Sequence, residues 1–344
     1  MIHIGDCLEV MRGMAAGSVQ TCVTSPPYYG LRDYGAAGQI GLEDTPAEYV
    51  ARLVAVFREV RRLLRDDGTL WLNLGDSYAG SWGAQSRGNT ASEASSRLEG
   101  SSMLEARRIG AYQLGASGTG SAKRTPGLKP KDLIGIPWRV AFALQEDGWF
   151  LRQDIVWSKP NPMPESVTDR CTKAHEYLFL LSKSQRYYFD AGAIREQAAH
   201  DPSAVRNRWD RLDYDVPGQT RQKRRSRAAV PPRHAACGST QDGLDAAGRD
   251  GARNKRSVWT VATRPFRDAH FATFPEQLIE PCILAGAPAG GLVLDPFMGA
   301  GTTAVVAERL GRQWLGCELN PEYAEIAEAR IRVAQPGFAF GEIA

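Results

Sequence analysis

The chain is poor in cysteine, in net charge and in long apolar runs, and each shortage removes a class of protein. Its 344 residues include six cysteines, at positions 7, 22, 171, 237, 282 and 317. None falls at the paired spacing of a zinc site or a disulfide framework. They read as reduced thiols of a cytoplasmic protein, and no metal is expected. No apolar run approaches the roughly 18 residues of a membrane span. The opening Met1-Ile2-His3-Ile4-Gly5-Asp6 lacks the charged and apolar regions of a signal peptide. The net charge is only +3, so an anionic partner would have to be met by the placement of charge rather than its total.

What is present falls into three folded stretches and two odd ones. In residues 1–78, Gln20 to Thr24 reads as a buried strand ending in Ser25-Pro26-Pro27-Tyr28. Thr45-Pro46-Ala47-Glu48 has a cap, a first-turn proline and a capping-box glutamate. Tyr49, Leu53, Val56, Phe57, Val60 and Leu64 continue it as a helical stripe. Gly68 is expected to end the helix, and Thr69 to Leu74 to form the next strand. Residues 131–194 give a helix from Asp132 to about Gln145, strands at Ile155–Lys159 and Tyr177–Ser182, and a hairpin partner at Tyr187-Tyr188-Phe189. Residues 258–344 give strands at 291–295 and 314–318, with helices opening at Thr302 and at Asn320-Pro321. Strand-helix-strand order implies an α/β protein with a mostly parallel sheet.

The odd stretches lie between these. Residues 79–130 are dense in Gly and Ser and read as an insertion or long loop. Residues 195–257 carry 14 Arg and Lys against 8 Asp and Glu, a local +6 that leaves the remainder of the chain net acidic. The densest run contains Arg221, Lys223, Arg224, Arg225 and Arg227.

Two motifs carry chemistry. Leu292-Val293-Leu294-Asp295-Pro296-Phe297-Met298-Gly299-Ala300-Gly301-Thr302-Thr303 is a buried strand, a glycine turn and a helix start. Such a turn lies at the carboxyl end of a strand, where α/β sheets bind ligands. The third glycine of a dinucleotide fingerprint and the lysine of a phosphate loop are both missing. About 20 residues on, a strand ends in Glu318, whose carboxylate can accept two ribose hydroxyls. In Thr24-Ser25-Pro26-Pro27-Tyr28, two prolines stiffen the backbone after a strand. The Ser25 hydroxyl and Pro26 carbonyl can accept from one amine and leave its lone pair free to attack, while Tyr28 stacks on the ring.

This pair of motifs resembles the signature of the DNA amino-methyltransferases that modify N4 of cytosine or N6 of adenine, with the segment order of their β group. The resemblance covers roughly 1–78, 131–195 and 258–344. It implies a Rossmann-like class I methyltransferase fold with a mostly parallel seven-stranded sheet, helices on both faces and an inserted DNA-recognition region at 195–257. It implies S-adenosylmethionine as cofactor and a flipped base in double-stranded DNA as substrate. Ser25, Pro26, Pro27 and Tyr28 would be catalytic. Asp295, Pro296, Phe297, Gly299, Gly301, Thr302, Thr303 and Glu318 would form the cofactor site. Asp6 in Ile4-Gly5-Asp6-Cys7 would lie near the adenine ring. Thr273 and Phe274, just before the cofactor strand, would meet the methionine end. Trp157-Ser158-Lys159-Pro160-Asn161 resembles the border of the base pocket, and Lys159 joins the basic run as a DNA-binding candidate.

In family terms Ser25 leans to cytosine N4, with adenine N6 the alternative. RNA methylation, a catalytically inactive DNA-binding protein and a nicotinamide oxidoreductase are the rival readings. A restriction endonuclease partner and a homodimer are open. Pro281-Cys282 resembles a C5-cytosine nucleophile, but that cysteine follows the cofactor motif in its family and precedes it here, so Cys282 reads as a buried helical residue.

Overall fold

The computed structural model describes residues 1–31, 33–80, 127–197, 252–263 and 274–334. Chain contacts divide the molecule into two units, Met1–Asp190 with Ser257–Ala344, and Ala191–Arg256. The strands in chain order are β1 (Ile2–Ile4), β2 (Val19–Thr24), β3 (Leu64–Leu74), β4 (Phe150–Ser158), β5 (His175–Ser182), β6 (Glu196–Gln197), β7 (Ala252–Arg253), β8 (Val258–Thr260), β9 (Leu292–Asp295) and β10 (Gln313–Glu318). The helices are α1 (Cys7–Arg12), α2 (Pro46–Leu63), α3 (Ile136–Glu146), α4 (Glu276–Gly286), α5 (Thr302–Arg309) and α6 (Pro321–Ala334).

The larger unit is built on an eight-stranded sheet in the order β1-β10-β9-β2-β3-β5-β4-β8. The first five strands of that order are parallel. β5 runs antiparallel to both β3 and β4, and β8 is parallel to β4. Alternate residues face opposite sides. Cys22, Leu70, Leu72, Phe179 and Leu294 join the core beneath α1, α2 and α3. Thr21, Thr69 and Trp71 face the other way, against Gly286 at the end of α4. The chain leaves β9 toward β10 on one side and β2 toward β3 on the other. A crevice at the carboxyl ends of β9 and β2 is where such a sheet binds ligands.

Helix α2 forms as its sequence directs. The Thr45 hydroxyl accepts from the Glu48 amide at 3.1 Å, and the Glu48 carboxylate accepts from the Thr45 amide at 3.1 Å. Tyr49, Leu53, Val56, Phe57, Val60 and Leu63 are its buried stripe. Helix α3 lacks a cap of its own, and Asp76 supplies one. Its carboxylate accepts from the amides of Gly135 and Ile136, both at 3.0 Å.

Four expectations are corrected. The sheet has eight strands rather than seven; β1 and β8, three residues each, are too short to show a period. Helix α2 stops at Leu63 and Gly68 lies inside β3, because Leu64 already pairs with Val19. Helix α3 starts at Ile136 rather than Asp132, held back by Gly135 at φ 77°. Tyr187-Tyr188-Phe189 forms no strand; the Tyr188 amide donates to Asp67 O at 2.8 Å and the Phe189 ring stacks on Trp71. The described part of the smaller unit holds a 3₁₀ turn at Gly192–Ile194 and the antiparallel β6–β7 ribbon, where Glu196 pairs with Arg253 and Arg256.

Candidate active site

The glycine turn opens at the end of β9, and Asp295 organises it. This buried carboxylate accepts from the Thr24 hydroxyl at 2.6 Å, the Thr303 hydroxyl at 2.7 Å and the Phe297 amide at 3.0 Å. One side chain therefore joins the end of β2, the turn and the first turn of α5. Burial pushes its pKa up to about 6, against the hydrogen bonds from Thr24 and Thr303. Gly299 and Gly301 follow at φ 51° and 75°, a region that favours glycine. A Cβ at Gly301 would also lie 2.9 Å from the Cβ of Ala327 on α6, so no other residue fits between the two helices.

Glu318 ends β10 beside this turn. Its carboxylate accepts from the Gly299 amide at 2.7 Å and the Asn320 amide at 2.9 Å. An ionised carboxylate has about four acceptor positions, so two remain for a diol. Burial raises the Glu318 pKa. The residues fit a nucleoside held by its ribose against a bare backbone. They do not fit a pyrophosphate, which would face two buried carboxylates.

The Ser25–Tyr28 segment leaves β2 on the neighbouring strand. Thr24 ties it to Asp295, and the Tyr49 hydroxyl on α2 donates to Pro27 O at 2.9 Å. Pro26 is buried and Ser25 half-buried. Tyr28 lies over Gly75, where a Cβ would fall 2.4 Å from its ring. Its hydroxyl donates to Glu176 at 2.7 Å and accepts from the Asn73 amide at 2.8 Å. Burial, then the Glu176 charge, raise the phenol pKa well above its ordinary range. Tyr28 therefore stays neutral and is no general base.

Other expected residues sit as follows. Asp6 is the cap of α1, accepting from the Leu8 and Glu9 amides at 2.9 and 3.2 Å. Thr302 accepts from Arg330 at 3.2 Å. Pro296 is buried, Phe297 packs on the core below α1 to α3, and Phe274 is half-buried. Lys159 does not stand free on the surface: its ammonium pairs with Glu176 and lies 4.2 Å over the Trp157 ring. Cys282 is buried in α4. Thr273, Arg221, Lys223, Arg224, Arg225 and Arg227 lie outside the described residues.

Sequence reasoning missed Asn73, Gly75, Tyr49 and Glu176 as parts of this site. The signal for two of them was available. Asn73 is the lone polar residue in Leu70-Trp71-Leu72-Asn73-Leu74, and Glu176 heads the apolar strand Tyr177 to Leu181. A polar side chain placed in a buried strand needs a partner.

A glycine cradle and a buried glutamate on one strand pair, next to a Ser-Pro-Pro-Tyr segment on the adjoining strand, fit a class I methyltransferase. The DNA methylase family matches residues 19–329, and the chain belongs to that family. It is 45% identical over 329 residues to the type II methyltransferase M.Cfr9I of Citrobacter freundii, covering 95% of this chain and 86% of that protein. The PvuII DNA methyltransferase, named as cytosine-N4-specific, superposes with a TM-score of 0.56 at 19% identity, covering 96% of this chain and 85% of the other. A chain titled a putative DNA modification methylase from Thermus thermophilus, complexed with S-adenosyl-L-methionine, gives 0.53 at 22% identity, with 98% and 96% covered. These two likenesses show the shared fold. The protein is an S-adenosylmethionine-dependent DNA methyltransferase acting on an exocyclic amine. Among its described residues no helix is long and apolar enough to cross a membrane.

Proposed function

We propose that the enzyme methylates N4 of cytosine at a specific site in double-stranded DNA, in the cytoplasm. The observation that carries this is Ser25, at the first position of a motif bonded through Thr24 to the hub of the cofactor turn. In family terms serine there leans to cytosine and aspartate to adenine. The base leaves the duplex because its amine is otherwise paired. The Ser25 hydroxyl and Pro26 carbonyl accept from the amine, and Tyr28 stacks on the ring. When bound, S-adenosylmethionine supplies an electrophilic methyl group. Glu318 would hold its ribose, the Gly299–Gly301 turn would lie along it, and Asp6, Phe274 and, by the family resemblance, Thr273 would border it. Alignment supplies much of the rate. No strong base is required, since the methylated amine is acidic while cationic and can pass its proton to water.

The basic run at Arg221–Arg227 is proposed to contact phosphate and read the site, within the span 195–257 that interrupts the catalytic fold. Lys159, paired with Glu176, serves the pocket wall better than a phosphate. The type II names of the relatives support a restriction endonuclease of matching specificity, and a homodimer is testable by sedimentation. DNA from cells expressing the protein, read with modification-sensitive base calling, should carry N4-methylcytosine at one short site. N6-methyladenine alone would reassign the base, and unmodified DNA would overturn the reading.

A further inference from the structure

We propose that Glu176 is a positioning residue for methyl transfer, fixing the plane of Tyr28 through its hydroxyl; this rests on the reading of Ser25–Tyr28 as the base pocket. The antiparallel register sets Asn73 of β3 opposite Leu178 and Leu74 opposite Tyr177. Glu176 therefore lies at the catalytic end of β5, where the chain turns past Gly75 and the Tyr28 ring. On its other side it faces Trp157 of β4. Three donors converge on its carboxylate: the Tyr28 hydroxyl at 2.7 Å, the Asn73 amide at 3.1 Å and the Lys159 ammonium. Asn73 also donates to the Tyr28 oxygen, which closes a triangle.

Stacking alone requires no hydroxyl, and a phenylalanine would present the same face. Placing a phenol among a carboxylate, an amide and an ammonium costs desolvation that only well-made hydrogen bonds offset. The arrangement has a visible cost as well. The Asn73 side-chain oxygen is buried without a partner, the consequence of turning its NH₂ toward Tyr28 and Glu176. Buried orphans of this kind are rare and call for a reason. With Gly75 below the ring and the hydroxyl held at its far end, Tyr28 can neither tilt nor swing. Lys159, itself seated on Trp157, pairs with the carboxylate and holds it in place. A ring fixed in this way presents the base amine to Ser25 and Pro26 in one orientation. Misplacement by about 1 Å costs roughly 10²-fold in rate.

The test compares Glu176→Ala, Glu176→Gln, Tyr28→Phe and the double variant Tyr28→Phe/Glu176→Ala. Each is measured for kcat with labelled S-adenosylmethionine on unmodified genomic DNA, for S-adenosylmethionine affinity, and for Tm. Glu176→Ala and Tyr28→Phe should each lower kcat about 10- to 100-fold with cofactor affinity unchanged. The double variant should be no slower than the slower single one. Glu176→Gln, which can still accept from the hydroxyl, should recover most of the loss. Parental kcat in Glu176→Ala, multiplicative losses in the double variant, or a parallel fall in cofactor affinity would each overturn the assignment. Failure of the underlying reading is distinguishable, because Tyr28→Ala would then retain full activity on DNA.

Discussion

The glycine turn, proposed to hold the cofactor, and the Ser25–Tyr28 segment, proposed to hold the base, lie on adjoining strands and are held by opposite means. At the turn, backbone does most of the work: two glycines at positive φ, and amides of Gly299 and Asn320 on Glu318. At the pocket, side chains from α2, β3 and β5 converge on the segment after β2, with Lys159, just past β4, paired to Glu176. Thr24–Asp295 and the Thr303 hydroxyl on Val23 O bond the end of β2 to the turn. Backbone preorganisation makes a site that tolerates no added atoms. Side-chain preorganisation makes one whose fine geometry can be altered without loss of the fold.

Gly301→Val should break the first region outright. Positive φ and the 2.9 Å approach to Ala327 leave a branched side chain no room. Calorimetry should detect no S-adenosylmethionine binding, a loss of at least about 100-fold on the scale of a grossly mispacked site. Binding at parental strength would mean that α5 and α6 do not pack as described.

Glu318→Ala should weaken cofactor binding by about 10- to 100-fold, two charge-assisted hydrogen bonds at roughly 1.5–3 kcal/mol less their solvation. The parent should show a related pH effect. Burial raises the Glu318 pKa, so its charge, and with it cofactor affinity, should fall as pH drops through a range above that of ordinary carboxylates. A titration by calorimetry that finds the same fall in Glu318→Gln would place its origin elsewhere.

Gly75→Ala sharpens the contrast from the other side. The added methyl would fall 2.4 Å from the Tyr28 ring and must displace it. Methyl transfer should slow by roughly tenfold or more, with cofactor affinity unchanged. Equal losses in both would show that the two regions are not separable.

A pH-dependent effect concerns the residue they share. Asp295 has a pKa of about 6 in the fold against an ordinary 3.8. Between those values the folded state binds the proton more tightly than the unfolded chain. Its contribution to stability is thus complete below about pH 3.8 and is lost as pH rises through 6. Asp295→Asn cannot ionise, so its stability relative to the parent should improve by on the order of 2–3 kcal/mol across that window. A difference in urea midpoints that stays flat with pH would contradict the buried charge.

The same contrast explains what could be read from sequence. The turn and Glu318 lie within residues 295–318, so their spacing alone pointed to one site, and the Glu318 carboxylate does accept from the Gly299 amide. Helix α2 was legible because its capping box and stripe are contiguous. Glu176 stands 148 residues from Tyr28, and only the β3–β5 register brings the two together. Gly75 carries no signal until a ring is known to lie on it. Lys159 was expected to border the base pocket and to bind DNA; its pairing with Glu176 depends on the β4–β5 register and could not be read from the sequence. Short strands such as β1 and β8 gain their place from neighbours rather than from any pattern of their own.

Nucleoside mass spectrometry tests the central claim most directly. Unmodified DNA incubated with the enzyme and methyl-labelled S-adenosylmethionine would be digested and its nucleosides separated. The account predicts the label in N4-methylcytosine, and its disappearance when Tyr28→Ala removes the stacking ring. Label confined to a ring carbon, or retained in full by the Tyr28→Ala variant, would contradict amine transfer in the pocket at Ser25–Tyr28.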